Sequence, residues 1–372
     1  MRIGIPKESR EHELRVAASP DTIKRYKGLG LDCVVEEGAG TGAALADEAF
    51  TKAGASLADA AGAWDAEIVL KVQRPGEDEM GRLRKGQVLV GMLDPYMSRE
   101  QVAAYASAGV TAFSLELLPR TTRAQAMDVL SSQANLAGYK AMVDAMAAYS
   151  RVLPMMMTAA GTVTPAKVFV IGAGVAGLQA IATAKRMGAV VTATDVRPAA
   201  REEIESLGGK FVGFIPEGAA TSGGYARALT PEEQAEQARM VAEHLKGQDI
   251  VVTTAQIPGR KAPRIVTAQM VASMKAGSVV LDMAAESGGN VEGSEPGAER
   301  MEGGIRIIGA RNLPARLAPA SSVLYARNLQ NFVALLVSKE GALAIDMDDD
   351  LVKGAMLTHE GRIVHPNFAD QA

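Results

Sequence analysis

The sequence predicts an α/β protein made of two doubly wound Rossmann-like domains with mainly parallel sheets, joined by long connecting helices. Three observations lead there. Short β-branched runs alternate with amphipathic stretches along the chain, the order in which crossover helices link parallel strands. At 372 residues the chain is too long for one ordinary core. One β-branched run opens directly into a glycine-rich turn and a helical pattern.

In the first third, the runs Ile3–Ile5, Cys33–Glu37, Ile68–Val72, Val88–Gly91 and Thr111–Phe113 read as strands. Helical patterns cover Asp21–Leu29, Asp47–Ala53 and Ser98–Ala108, the first entered through Ser19 as N-cap and Pro20 at the first helical position. An Ala/Met-rich helical pattern over Asn135–Val152 crosses to a second domain. Its strands are Lys167–Ile171, Val190–Thr194, Ile250–Thr254, Ser278–Met283 and Ile305–Ile308. A helix over Val323–Val337 returns the chain to the first domain, and Met356–His365 forms a hairpin turning at Glu360-Gly361. The expected division is therefore residues 1–137 with 328–372 as a discontinuous first domain, and 138–327 as a nucleotide domain inserted into it.

Composition narrows the function. Hydrophobic residues make up 48% and charged residues 22%, a globular balance. A net charge of −4 without any Lys/Arg-rich run argues against nucleic acid, whose phosphates need a clustered basic surface. Cys33 is the single cysteine, which excludes a disulfide framework, and with four scattered histidines it supplies too few ligands for structural zinc. Met1–Pro6 lacks the apolar core of a signal peptide, and the longest nearly uncharged stretch, Val168–Ala184, is interrupted by glycines and falls short of the ~20 residues that span a bilayer. Direct membrane insertion is not expected.

The strongest motif is Gly172-Ala173-Gly174-Val175-Ala176-Gly177, set between the strand Lys167–Ile171 and a helix over Val175–Met187. Gly172 makes the tight turn, Gly174 lets backbone approach a pyrophosphate, and Gly177 lets helix pack on strand. The amides of Val175 and Ala176 open the helix towards the phosphates. Asp195, at the end of the next strand and followed by Val196 and Arg197, lies where a carboxylate binds the adenosine ribose hydroxyls. A carboxylate there repels a 2′-phosphate, so NAD(H) is expected over NADP(H). A second glycine-rich segment, Gly38–Ala43, follows Glu36 and Glu37 and has no acid-ended strand at matching distance; it reads as a tight loop. Met155–Met157 reads as apolar hinge packing, Asp348–Asp350 as a solvated acidic turn, and His359 and His365 as exposed hairpin residues.

One dinucleotide site leaves the hydride partner to be found elsewhere. Pro119–Gln133 gathers cations, amides, hydroxyls and a carboxylate in the connection between the domains. Gln125 can donate to and accept from a carboxamide, Arg120 can bind a pyrophosphate or an acid, and Asp128 can orient either. A solvated capping loop ahead of a helix is the alternative reading of the same residues.

This loop resembles the one named for its Arg, Gln and Asp in the NAD(H)-binding component of proton-translocating nicotinamide nucleotide transhydrogenase, within the alanine dehydrogenase/transhydrogenase superfamily. Arg2–Glu8, Lys71–Pro75, Pro154–Gly161, Gly172–Met187, Thr194–Arg197, Gly223–Arg227, Thr253–Gly259 and Ala285–Asn290 resemble that family as well. The resemblance implies that Arg120, Gln125, Asp128 and Ser131 contact the nicotinamide end of NAD(H), and that Tyr225 is the tyrosine of a loop closing over bound nucleotide. It implies hydride passage from NADH to NADP⁺ held by a separate component, with proton translocation in a membrane-spanning component. It further implies a homodimer placed by those partners at the cytoplasmic face of the inner membrane. Direct transfer between nicotinamides needs no general acid or base, only positioning and control of water.

Alanine dehydrogenase shares the pattern, including counterparts of Arg15 and Lys71 that could hold a substrate carboxylate. Its catalytic histidine should fall within Leu89–Pro95, where Asp94 stands instead. Here Lys71 and Arg15 read as remnant surface or cleft charges. A non-enzymatic NAD(H)-sensing protein would need the fingerprint but not the polar loop Arg120–Ser131.

Overall fold

The computed structural model describes residues 1–214, 230–256 and 259–369. Two compact units divide the chain: Met1–Gln133 with Pro314–Ala372, and Ala134–Leu313.

The first unit holds an eight-stranded sheet in the order Arg362–Ile363, Met356–His359, Thr111–Ser114, Val88–Met92, Ile68–Gln73, Arg2–Ile5, Asp32–Glu36 and Ser56–Ala58. The six strands from Thr111–Ser114 to Ser56–Ala58 are parallel; the two C-terminal strands add an antiparallel edge. Alternate residues feed opposite faces. Ile68, Leu70 and Val72 join Ile3, Ile5, Val90 and Phe113 in one core beneath the helices Pro20–Gly28 and Ala318–Val333. Val69, Leu89, Ala112 and Leu357 join Trp64, Tyr105 and Phe368 in the other. Burial on both faces is what a parallel sheet demands, and it explains the near-continuous apolar runs.

The second unit repeats the plan with seven strands, ordered Lys210–Phe211, Val190–Thr194, Lys167–Ile171, Ile250–Thr253, Val279–Asp282, Ile305–Gly309 and Glu299–Glu302, all parallel except the last. Val168, Val170, Val252 and Leu281 pack against the helix Val175–Arg186, while Phe169, Ile171, Val251 and Val280 pack against Pro231–Leu245. Strand order reverses between Lys167–Ile171 and Ile250–Thr253, so the carboxyl ends of these two strands flank the crevice where open α/β sheets bind ligands.

Several expectations need correction. The long helix runs Val129–Ala148, beginning six residues earlier than Asn135, because Asp128 accepts from the Ser131 amide and starts the helix there. The returning helix spans Ala318–Val333, with Pro319 in its first turn, in place of Val323–Val337. Met155–Met157 is not hinge packing: the strand Met156–Thr158 pairs with Gly161–Val163 in an isolated hairpin, and the three methionines are exposed. His365 is buried beside Phe368, with Nδ1 accepting from the Asn367 amide, and His359 bonds Thr111 through its ring. Asp349 and Asp350 pair with Arg123, and Asp349 also caps the helix Asp350–Ala355; of the acidic turn, Asp348 is the solvated member.

Lys71 and Arg15 are not surface charges. Lys71 is fully buried, its Nζ donating to Glu79 Oε1 at 2.9 Å and to the Lys7 carbonyl at 3.5 Å, with Glu8 Oε2 at 3.4 Å. Arg15 pairs with Glu13 at 2.6 Å and donates to Gln133 Oε1 at 2.9 Å. Glu8 also accepts from the amides of Val72 and Gln73, and burial raises its pKa against the pull of Lys71. This cluster lies at the first unit's own strand-order reversal, between Arg2–Ile5 and Ile68–Gln73. Side chains of the chain itself fill that position with paired charge.

Candidate functional site

The Gly172–Gly177 turn sits on the strand Lys167–Ile171, of which only Lys167 is exposed. Gly172 has φ +96°, and a Cβ there would lie 2.6 Å from Thr254 Oγ1, so both dihedral and space require glycine. A Cβ on Gly177 would lie 1.9 Å from the Gly172 carbonyl oxygen; helix and turn can approach only without a side chain. Gly174 differs. A Cβ on it would meet nothing within 4 Å, so no protein contact demands glycine there. The helix Val175–Arg186 begins at Gly174 without a side-chain cap, and its first bond is Leu178 N–H to the Gly174 carbonyl. Open ground over Gly174 and uncapped amides at Val175, Ala176 and Gly177 together fit a pyrophosphate.

Asp195 follows the strand Val190–Thr194, its side chain 10% exposed. Its carboxylate accepts from Ala173 N–H at 2.7 Å and Arg197 N–H at 2.8 Å, which aims it across the turn. Arg197 Nε donates to Asp195 at 3.2 Å, and Nη2 donates to the Ala173 carbonyl at 2.8 Å and to Glu203 at 3.2 Å. Val196 between them is half-buried.

Across the crevice, residues singled out in the sequence only by resemblance form a tied scaffold. Thr254 Oγ1 donates to the Gly172 carbonyl at 3.0 Å. Asn290, fully buried, accepts from Ala255 N–H at 3.0 Å and donates to the carbonyls of Ala255 and Pro263, both at 2.8 Å. Asp282, at the end of its strand, accepts from Thr253, Ala284, Val291 and Ser294. Two buried polar side chains thus fix the loops that flank the crevice. A polar residue at the carboxyl end of a buried strand, as at Asp282, was the signal available in sequence.

The loop Pro119–Gln133 belongs to the first unit. A 3-10 turn over Thr122–Met127 is anchored by buried Ala124 and Met127, and the Ala126 carbonyl accepts from Asn328 and Asn331, both at 2.9 Å. Arg120 and Gln125 are exposed. Asp128 gives its oxygens to Ser131, accepting from the backbone at 2.8 Å and the hydroxyl at 2.5 Å, so it caps a helix where the sequence suggested orientation of Arg120 or Gln125. Asp128 and Ser131 are therefore brought together. Tyr225 lies outside the described residues. Asp94 takes a left-handed conformation, φ +46°, and burial raises its pKa. Among the described residues no cluster of side chains could hold a metal ion, and no helix is long and apolar enough to cross a membrane.

Fold and turn together define a nucleotide-binding α/β protein of Rossmann type. The family described as alanine dehydrogenase/PNT matches the chain twice, its N-terminal domain over residues 4–137 and its C-terminal domain over 141–366. The chain belongs to that family. It is 48% identical to an NAD(P) transhydrogenase subunit alpha chain of Rhodospirillum rubrum, over 100% of both chains. It is similar to the crystal structure of transhydrogenase from Sinorhizobium meliloti, with 53% identity, a TM-score of 0.90, and 98% and 100% of the two chains covered. A solved L-alanine dehydrogenase shares 25% identity and a TM-score of 0.83 over 100% of this chain and 98% of that one.

Proposed function

We propose that the chain is the NAD(H)-holding component of a proton-translocating transhydrogenase, and that it passes hydride from NADH to NADP⁺ held by a partner component. The observation that carries this reading is the open cradle over Gly174, in a chain similar along its whole length to a transhydrogenase alpha subunit. NADH binds with its pyrophosphate against the amides of Val175 to Gly177 and its adenosine ribose against Asp195. Arg120, Gln125, Asp128, Ser131 and Tyr225 act at the nicotinamide end, as the resemblance implies. The hydride leaves NADH with its electron pair and joins NADP⁺, giving NAD⁺ and NADPH without release of a proton at carbon. The protein then has to align two rings and exclude water. Proton translocation belongs to a separate membrane-spanning component, which brings a homodimer of this chain to the cytoplasmic face of the membrane. Asp94, standing where an alanine dehydrogenase needs histidine, weighs against reductive amination.

The test offers purified chain loaded with NADH two acceptors. One sample receives pyruvate and ammonium; the other receives an NADP⁺ analogue and a recombinant NADP(H)-binding component. Oxidation in the second sample alone is the expected result. Oxidation in the first alone overturns the proposal.

A further inference from the structure

We infer that Glu203 is a specificity-determining residue of the nucleotide site, acting by holding Arg197 away from any 2′-phosphate. The inference rests on the NAD(H) reading given above and deepens it. The segment Asp195-Val196-Arg197 contains both answers to the 2′-position: a carboxylate that binds two free ribose hydroxyls, and a nearby guanidinium of the kind that receives a 2′-phosphate. Sequence alone does not decide which of them faces the nucleotide.

The bonds of Arg197 supply the decision. Its Nε is spent on Asp195, and its Nη2 is shared between the Ala173 carbonyl at 2.8 Å and Glu203 Oε2 at 3.2 Å. Arg197 and Glu203 side chains are 24% and 38% exposed, so the pair is partly shielded from solvent. Two carboxylates around one guanidinium leave a net charge of −1. An incoming 2′-phosphate meets that negative charge and finds the fork already engaged. Glu203 itself is carried by the helix Ala200–Ser206, whose buried Ala200 and Ile204 fix that helix to the sheet. With Glu203 neutral, the cluster loses its net negative charge and Nη2 keeps only the Ala173 carbonyl. Arg197 can then turn towards the ribose edge.

The experiment titrates the full-length chain with NADH and with NADPH, following reduced-nicotinamide fluorescence, for wild type, E203Q, R197Q and the R197Q/E203Q double variant. The ratio of the two affinities is read. A partly exposed ion pair contributes up to ~1 kcal/mol, so E203Q should narrow the preference for NADH by about three- to fivefold. The double variant should show the same ratio as R197Q, because the gain needs the released guanidinium. An unchanged ratio in E203Q, a gain that persists without Arg197, or equal loss of both nucleotides overturns the inference. Failure of wild type to bind NADH would instead remove the nucleotide-site reading, and this inference with it.

Discussion

Gly174 and Gly177 stand three residues apart in one motif, yet the structure gives them opposite reasons to be glycine, and two alanine variants separate those reasons. In G177A the new Cβ would lie 1.9 Å from the Gly172 carbonyl oxygen and 2.8 Å from its carbon, far inside the ~3.5 Å of ordinary contact. Both atoms are backbone, so turn and helix must move apart. Overpacking of this kind costs about 1–3 kcal/mol, visible as a lower urea midpoint. In G174A the Cβ enters open space at φ −68°, a dihedral alanine accepts, and the stability change should stay within ~0.5 kcal/mol. That same methyl occupies the ground the pyrophosphate needs, and NADH binding should weaken at least about tenfold, ~1.4 kcal/mol. Urea unfolding and NADH fluorescence titration are run on both variants. Wild-type NADH affinity in G174A would refute the cradle; wild-type stability in G177A would refute the helix-to-turn contact.

K71M removes the cation from a buried cluster and leaves Glu8 and Glu79 facing each other without it, which should cost about 3–5 kcal/mol in urea unfolding at neutral pH. Burial already raises the Glu8 pKa, and losing Lys71 raises it further. A group with a raised folded pKa gives stability at low pH that is lost as pH rises, so the K71M penalty should shrink between about pH 7 and 5; a penalty constant over that range refutes the charge account. His244 is pushed below its ordinary 6.5, first by burial and then by Lys167 and Lys210, while its ring bonds Thr192 at 2.8 Å. Its contribution is complete above pH ~6.5 and is lost as pH falls through the lower folded value, so H244Q should flatten the acid side of the stability profile by less than ~1 kcal/mol, the ring being half exposed. An unchanged acid slope in H244Q would show that other groups set it.

Much of the sheet architecture is legible in the sequence because its cause is local. Ile68–Gln73 and Lys167–Ile171 are apolar because both faces are buried, and a short apolar run after a turn signal is readable in one dimension. The strands that the pattern does not reveal lack that cause. Ser56–Ala58 is a three-residue edge, and Met156–Thr158 with Gly161–Val163 is exposed throughout, leaving no alternation to detect. Lys71 misleads for a different reason. A lysine within Ile-Val-Leu-Lys-Val-Gln suggests a tolerated charge, and its partners Glu8 and Glu79 become neighbours only when two strands pair. Likewise the glycines of the turn can be weighed in sequence, whereas the tie from Arg197 to Glu203 depends on where a helix lands after its loop. His365 reads as exposed because a two-residue hairpin turn says nothing about what lies beneath it.

The excursion of the chain through a second unit also sets an order of events during synthesis. Ala318, Tyr325, Phe332 and Met356 complete the same core as Ile3, Ile5 and Phe113, but 180 residues, 134–313, emerge between the two groups. At ~5–20 residues per second that interval lasts roughly 10–40 s. Throughout it, the early strands have half of a core and no means of closing it, while the inserted unit acquires every residue of its own sheet. The later unit in the sequence is thus the first that can finish, and the N-terminal strands depend on protection from aggregation until the ribosome delivers their last helix.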